Sequence, residues 1–239
     1  LLEERVQRRA FLDAHVGLLS TVVARVSPDL WNDLRTRDPL GVLSNGYEVM
    51  PVMDDFRGEI PANPAFFRVP NIEHEEMKKI YMLNMVHASL AYLGRGAADA
   101  VEALALPGMR TQIEEEMREA ATGLMRLGYT KEEMDAWCAR VLLMLQNPSL
   151  RDPLSRLGAD TPRKLAPGDR LLGPAALCLQ AGEKPRAICR AIRAAFTFDG
   201  DEKSAAVASY ARENGLEKAV RRYCAGAPEE LLHLILAEE

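Results

Sequence analysis

Residues 75–93 constrain the fold more than any other stretch of the sequence, because their apolar side chains recur at the spacing of an α-helix. Gly94 follows directly, and a glycine at this place is typical of a helix end. Each residue of an α-helix advances by about 100°, so Lys79, Asn84 and His87 fall within an arc of about 140°. Leucines occupy the same arc. The pattern therefore predicts a half-buried helix face that carries an amine, an amide and an imidazole.

A lysine on such a face indicates acid–base chemistry. An unpaired charge is costly to bury, and burial moves a lysine towards the range in which it can exchange protons. Asn84 and His87 would bind an oxygen that changes between alcohol and carbonyl, and would stabilise its developing charge. The alternative is that the three polar residues are incidental to an amphipathic helix. A metal site is not predicted, because the segment offers one histidine and no second ligand at a suitable spacing.

The composition excludes several classes of protein. A chain of 239 residues with a net charge of −5 is long enough for one or two domains and gives no reason to expect nucleic acid as a partner. The sequence contains neither an apolar run of transmembrane length nor a signal peptide nor a glycine-rich phosphate loop. The four cysteines lie far apart, which favours buried free thiols in a reducing cytoplasm. The chain begins at Leu1 without an initiator methionine, which indicates a fragment or an omitted earlier part.

Helical patterns dominate the chain, and we predict a mainly α fold. A first amphipathic helix is predicted from Glu4 to Arg25. Prolines interrupt residues 28–72, where residues 47–53 form a short predicted strand that Pro51 limits to a sheet edge. Further helices are predicted at residues 74–93, 97–105, 109–127, 131–145, 150–157, 168–181, 184–196, 201–214, 216–224 and 228–238.

A second group of polar residues lies further along the chain. Arg163 and Lys164 are adjacent in a predicted loop, and Arg170 lies near a predicted helix start. Together these cations can hold an anionic group such as a phosphate. The alternative is a solvated connector, in which Asp152 and Arg156 form an ordinary ion pair at helical spacing.

The two polar segments together resemble the C-terminal domain of the polyol-specific long-chain dehydrogenases, the mannitol dehydrogenase family. That family carries a lysine, an asparagine and a histidine at the spacing of Lys79, Asn84 and His87, followed by an ending similar to Tyr92-Leu93-Gly94. The resemblance covers most of the chain from about residue 20. Its other segments are Asp38-Pro39-Leu40, Phe56-x-Gly58-Glu59-Ile60-Pro61, Asn147-Pro148-x-Leu150-x-Asp152, Arg156-Leu157-Gly158, Pro162-Arg163-Lys164-Leu165 and Asp169-Arg170-Leu171.

The resemblance implies a multi-helical substrate domain of the 6-phosphogluconate-dehydrogenase-like type. It implies that Lys79 is the general acid/base and that Asn84 and His87 bind the reacting oxygen. The family moves a hydride between NAD and a polyol or sugar phosphate. The branch that the chain most resembles, the mannitol-1-phosphate 5-dehydrogenases, interconverts mannitol 1-phosphate and fructose 6-phosphate. Arg163 and Lys164 are our candidates for binding the phosphate or the distal hydroxyls, and the expected location is the cytoplasm.

Two departures from the family pattern affect the expected activity. The family binds NAD on a preceding Rossmann domain that this sequence does not contain, so we expect the chain alone to be inactive. Residues 1–72 would then be a linker helix and a β-containing connector that contact the cofactor domain, and residues 73–239 would form the substrate domain. Ser20 and Ala24 stand where the family has an asparagine and an aspartate, which makes Ser20 a candidate but weaker ligand of the substrate oxygen.

The missing domain would leave a surface uncovered. We predict a small β element near residues 46–56 with an exposed apolar edge around Val49, Val52 and Phe56, and self-association through residues 47–56. Alternative functions stay open at this point. They are a non-phosphorylated polyol dehydrogenase, a hexuronate reductase, a non-catalytic sugar-phosphate-binding module and a helical protein-interaction domain.

Overall fold

The computed structural model of the chain describes residues 2–25, 27, 36–42, 44–55, 59, 62–149 and 151–237. Its residues group into two compact units. The first unit comprises residues 1–25 and 46–77, and the second unit comprises residues 26–45 and 78–239. The boundary between the units falls inside one helix, after Met77.

The first unit contains a helix and a parallel pair of strands. The helix is α1 (Leu2–His15), and the strands are β1 (Met50–Met53) and β2 (Phe66–Val69). Met50 lies opposite Phe66, and Met53 lies opposite Val69. The predicted strand is therefore present, although it is shorter than residues 47–53.

Helix α1 is also shorter than predicted, since it ends at His15. Gly17 follows soon after, and glycine is unfavourable inside a helix. The β-branched residues 21–23 then favour an extended backbone. Thr21 forms an antiparallel β-bridge with Val52, so this part of the predicted helix lies alongside β1 instead.

The predicted exposed apolar edge at residues 47–56 is wrong where the structure describes it. Val52 is fully buried, Tyr47 is 5% exposed and Val49 is half-buried. The reason is that β1 has neighbours on both sides, with β2 on one side and the β-bridge on the other. Phe56 lies outside the described residues. Self-association through residues 47–56 stays a prediction.

The second unit is helical, and the predicted mainly α fold is confirmed. Helix α2 (Ile72–Lys78) crosses the boundary between the units and continues into a π-helix (Lys79–Asn84, called the π-turn) and then into α3 (Met85–Leu93). The helices that follow are α4 (Ala100–Leu104), α5 (Met109–Met125), α6 (Lys131–Leu145), α7 (Leu154–Gly158), α8 (Thr161–Lys164), α9 (Leu172–Gln180), α10 (Arg186–Ala195), α11 (Glu202–Asn214), α12 (Leu216–Tyr223) and α13 (Glu229–Ala237).

Local sequence signals set several of these helix ends. The Thr130 hydroxyl caps α6 by accepting a hydrogen bond from the Glu133 N–H at 3.1 Å. Gly215 ends α11 with a φ of 85°, a backbone conformation that glycine adopts without strain. The predicted helix start at residue 131 and the predicted helix end at residue 214 are both confirmed.

Helix α3 lies in the core of the second unit, where it contacts α4, α5, α7 and α10. Seven of its nine residues are buried, as expected for a helix that is apolar on nearly all sides. His87 is an exception, because it is polar and half-buried. Any side chain that α3 presents is therefore held on a rigid element.

The cysteines have the environments that the sequence predicts, with one difference. Cys178, Cys189 and Cys224 are buried free thiols, whereas Cys138 is half-buried. Burial raises the pKa of Cys178 and Cys224 to about 12, so both thiols stay protonated. Across the described ranges, no helix is long and apolar enough to cross a membrane.

Candidate active site

Lys79 and Asn84 are the first and last residues of the π-turn. Hydrogen bonds in a π-helix join residues five apart, and here the Met85 N–H donates to the Ile80 carbonyl. The predicted uninterrupted α-helix is therefore wrong over these six residues. Helical segments of this kind are rare and occur frequently at functional sites, so the deviation draws attention to the side chains that it carries.

The π-turn changes which side chains lie together. Residues five apart differ by about 140° around an α-helix axis. In a π-turn this angle is smaller, because each turn contains more residues. Lys79 and Asn84 are therefore closer around the axis than the α-helical count predicts. His87 follows three residues later on α3, where it neighbours Asn84, and all three residues are half-buried.

The adjacent Lys78 has a structural role that distinguishes it from Lys79. Lys78 Nζ lies 2.9 Å from Glu133 Oε1 and 5.4 Å from the centre of the Trp137 ring. Lys78 is 7% exposed, so an ion pair and a cation–π contact hold its charge in the core. Of the two adjacent lysines, Lys79 is the half-buried one and the better candidate for proton transfer.

The His87 imidazole is neutral at neutral pH. Burial lowers its pKa to about 4; Asp152 acts in the opposite direction, and Arg156 and Arg170 lower the pKa further. A neutral imidazole donates one hydrogen bond and accepts another. His87 can therefore bind an alcohol or carbonyl oxygen without adding a charge to the site.

One side of His87 faces a narrow cavity that Asn45 and Asp152 also line. About 10 Å³ of this cavity is open to the centre of a water molecule, which is room for one water. Asn45 is 6% exposed, and its Nδ2 lies 3.3 Å from Met144 Sδ. The cavity is too small for a sugar, so a substrate would have to contact His87 from another side.

Asp152 and Arg156 belong to the environment of His87, and the interpretation of them as a solvated pair is wrong for the carboxylate. The Asp152 side chain is 4% exposed. Arg156 binds both of its oxygens, with 2.6 Å between Nε and Oδ1. The spacing of the pair is visible in the sequence, but its burial depends on α3, which comes from a distant segment.

Arg163 and Lys164 have different environments, although they are adjacent. Both lie in the short helix α8 rather than in the predicted loop. Arg163 is exposed. Lys164 is 3% exposed, and its Nζ donates to the Ala159 carbonyl. Burial, Arg170 and Arg163 lower the pKa of Lys164 to about 8.

Arg170 connects the two polar segments. Its positive charge lowers the pKa of both His87 and Lys164, so it lies within electrostatic range of each. Arg170 Nε donates to Asp169 Oδ1 at 2.8 Å, and the two side chains are 16% and 22% exposed. The second unit thus brings the imidazole of the first segment and the cations of the second into one electrostatic environment.

Ser20 belongs to the first unit. It is exposed, and its carbonyl accepts a hydrogen bond from the Met53 N–H at 2.9 Å. Ala24, the other departure from the family pattern, is 3% exposed. The expected contact of Ser20 with a substrate oxygen stays a prediction.

The described residues do not form a site for a metal ion or a dinucleotide. No group of three or more His, Cys, Asp or Glu side chains in this part of the chain is placed to hold a metal. Strand β2 leads into α2 through Pro70 and Asn71, without the glycines that allow a backbone to approach a pyrophosphate.

The fold and the candidate site define a class of protein: a multi-helical domain in which an amine, an amide and a neutral imidazole lie on one half-buried helix face. The sequence of residues 71–238 matches the mannitol dehydrogenase C-terminal domain. The chain therefore belongs to the mannitol dehydrogenase C-terminal domain family, and the resemblance is confirmed at this level.

Two solved structures share the fold. One is D-sorbitol dehydrogenase in substrate-free form, with a TM-score of 0.73 and 14% identity over 97% of this chain and 53% of that chain. The other is Pseudomonas fluorescens mannitol 2-dehydrogenase in a ternary complex with NAD and D-mannitol, with a TM-score of 0.75 and 16% identity over 97% of this chain and 52% of that chain. The chain thus spans about half the length of each, and the similarity establishes the fold.

Proposed function

We propose that the chain is the substrate-binding part of an NAD-dependent dehydrogenase that interconverts a polyol phosphate and a ketose phosphate, as mannitol-1-phosphate 5-dehydrogenase does. The observation that carries the proposal is the π-turn, which begins at Lys79, ends at Asn84 and continues into the helix that carries the neutral His87. Membership of the mannitol dehydrogenase C-terminal domain family supports it.

The chemistry of the proposal divides between this chain and the rest of the enzyme. Oxidation of a secondary alcohol removes a hydride from carbon and a proton from oxygen. Lys79 accepts the hydroxyl proton, and returns it to the carbonyl oxygen in the reverse direction. Asn84 and His87 donate hydrogen bonds that strengthen as charge develops on that oxygen. The connection from β2 to α2 lacks a glycine-rich phosphate loop, so we assign the binding of NAD mainly to residues outside those described.

The phosphate of the substrate would bind at α8. Arg163 is exposed there, and Lys164 donates to a main-chain carbonyl rather than to a carboxylate. The guanidinium group and the ammonium group both suit phosphate oxygens, the former in a bidentate geometry. Arg170 is within electrostatic range of both Lys164 and His87, which supports assigning the phosphate at α8 and the reacting oxygen at His87 to one substrate.

A non-phosphorylated polyol is the second candidate substrate, and a specific observation favours it. Arg156 is paired with Asp152, and Arg170 is paired with Asp169. These carboxylates reduce the positive charge available to a phosphate. The hydroxyls of a neutral polyol would bind the same arginine side chains without having to compete with these carboxylates.

NADH oxidation by the native-length protein distinguishes these candidates. Faster turnover of fructose 6-phosphate than of fructose supports the phosphate, and the reverse order supports the neutral polyol. Lys79→Met should abolish turnover with an unchanged circular dichroism spectrum. Lys131→Met is the matched control, because Lys131 has 70% exposure on α6. Turnover retained by Lys79→Met would refute the assigned role, and an inactive wild-type protein would support a non-catalytic binding module.

A further inference from the structure

A row of buried hydroxyl groups joins three helices behind the candidate substrate residues. The Tyr92 hydroxyl at the end of α3 lies 3.2 Å from Thr161 Oγ1 at the start of α8. Thr161 Oγ1 donates to Ser204 Oγ on α11 at 2.8 Å, and Ser204 Oγ donates to Asp201 Oδ2. Tyr92, Thr161 and Ser204 are each at most 1% exposed. These four residues are called the hydroxyl chain.

The carboxylate at one end gives the hydroxyl chain a fixed direction. Burial acts to raise the pKa of Asp201, but hydrogen bonds, first among them those from Ser204, lower it overall. The ionised carboxylate can only accept, so Ser204 must donate to Asp201 and Thr161 must donate to Ser204. The single hydrogen of the Tyr92 hydroxyl then points to the Gly158 carbonyl, to Thr161 Oγ1, or is shared between the two acceptors. Thr161 and Ser204 thus donate in one direction, and such successive hydrogen bonds polarise one another and hold their geometry more firmly than isolated bonds do.

The hydroxyl chain anchors the turn of residues 158–164 at several points. Tyr92 donates to the Gly158 carbonyl at 3.1 Å, and the Thr161 N–H donates to Ser204 Oγ at 3.1 Å. Between them, the Asp160 N–H donates to Asp201 Oδ2 at 3.1 Å. Asp160 has a φ of 61°, in the left-handed region that non-glycine residues seldom adopt. Such a conformation persists when its surroundings determine it, and it is frequent near functional sites.

Lys164 closes the same turn. Its ammonium donates to the Ala159 carbonyl, which is itself part of the turn, and its side chain is buried there. The position of the ammonium therefore depends on the path of the backbone from Gly158 to Lys164. A turn that relaxed would let the long lysine side chain reach water, and the ammonium would be hydrated instead of held.

We propose that the hydroxyl chain is a positioning device, which sets where the Lys164 ammonium lies relative to the helix that carries His87. The proposal rests on the proposed function in one respect, because it takes Lys164 to contact the substrate. Tyr92 supplies the link to His87, since both residues belong to α3. Thr161, Ser204 and Asp201 supply the link to Lys164 through the turn.

NMR of the lysine amino groups in the native-length protein tests the positioning directly. Thr161→Val removes the hydroxyl and keeps the shape of the side chain, and Thr161→Ser restores the hydroxyl. We expect Thr161→Val to shift the Lys164 resonance and to raise its titration midpoint by about one pH unit, because the ammonium becomes hydrated. Thr161→Ser should keep wild-type values. Thr122→Val, which removes a hydroxyl that donates to the Arg118 carbonyl at 3.0 Å on α5, is the matched control.

The outcomes are distinct. Wild-type resonance and titration of Lys164 in Thr161→Val would overturn the proposal, and so would equal effects of Thr161→Val and Thr161→Ser. If Thr161→Val does not fold, Ser204→Ala breaks the next link and is judged by the same criteria. In enzyme assays, Thr161→Val should raise KM for the sugar substrate by about tenfold with a smaller change in kcat. An unchanged KM would overturn the link to the substrate. Absence of any wild-type turnover would instead refute the proposed function and leave the NMR result valid.

Discussion

Glu116 on α5 is a carboxyl group whose ionisation should limit the stability of this protein at high pH. It is fully buried, and burial raises its pKa to about 8 against the hydrogen bonds of Ser89 and Gln112. Gln112 Nε2 donates to Glu116 Oε1 at 2.6 Å. Glu116 Oε2 and the Ser89 hydroxyl are both buried without a well-formed hydrogen bond. The environment is therefore suited to a neutral carboxylic acid and poorly suited to a carboxylate.

The sign and the size of the effect follow from proton binding. Between the ordinary pKa of a glutamate and about 8, the folded state keeps the proton and the unfolded state loses it. The free energy of unfolding therefore falls as pH rises through this window, by about 1.4 kcal/mol per pH unit. From about pH 5 to about pH 7.5 the loss is roughly 3 kcal/mol, a large share of the stability of an ordinary domain. Above about pH 8 both states are ionised, and no further loss is expected.

Glu116→Gln removes the ionisation while keeping the carbonyl that accepts from Gln112. We expect the variant to gain stability over the wild type with rising pH, by roughly 3 kcal/mol between about pH 5 and about pH 7.5, with a plateau above about pH 8. Urea unfolding followed by circular dichroism measures the difference. Glu114→Gln is the matched control, because Glu114 lies on the same helix with 45% exposure and pairs with Arg110. The difference in free energy of unfolding between Glu114→Gln and the wild type should not change with pH.

A difference in free energy of unfolding between Glu116→Gln and the wild type that stays constant across this pH range would refute the raised pKa of Glu116. The raised pKa would also be refuted by a difference that falls as pH rises, since that would mean that the folded state favours the carboxylate. Burial raises the pKa of the Glu119 side chain as well, and its negative charge adds to the raised pKa of Glu116. Glu119 is present in both proteins, where it accepts from the N–H groups of Ala187 and Ile188.

Two further predictions concern the candidate active site. Deleting Ile80 should restore α-helical spacing across the π-turn without loss of helicity. We expect turnover to fall by on the order of 100-fold, because small displacements of reacting groups are costly. Wild-type turnover in the deletion variant would show that the π-turn is not required. Asp152→Asn should lower the pKa of His87 below its value of about 4, since it removes the neighbouring anion and leaves the positive charges of Arg156 and Arg170. NMR titration of the histidine rings measures this, and a midpoint near the ordinary value in the wild type would contradict the environment that the structure gives His87.

The helical architecture could be predicted because its signals are local. A cap such as Thr130 acts on an N–H three residues away, and a stop such as Gly215 acts through its own backbone. Apolar periodicity predicted the core helix α3 for the same reason, since it too is a local signal. The shorter α1 shows the limit of this reasoning. An amphipathic pattern continued past His15, but the extended segment was stabilised by a β-bridge to a strand that comes much later in the sequence.

The π-turn could not be predicted, because no residue in it is incompatible with an α-helix. Its shape depends on contacts from a distant segment. The Tyr81 hydroxyl donates to the Gly168 carbonyl at 3.0 Å. The Tyr81 ring lies against Gly173 so closely that a Cβ on that glycine would stand 2.6 Å from ring atoms. Counting about 100° per residue from Lys79 to Asn84 does not take these contacts into account.

The same dependence on distant packing explains why the burial of Asp152 was not predicted. Asp152 and Asp169 hold Arg156 and Arg170 in place before any substrate binds, so the site is assembled in advance rather than by the substrate. Such pairing has a consequence for substrate choice, because an anion gains little from cations that are already neutralised. The exposed Arg163 is different in this respect. A sugar phosphate gains most if its phosphate reaches Arg163 while its hydroxyls meet the pre-assembled groups, and this is the geometry on which the proposed specificity depends.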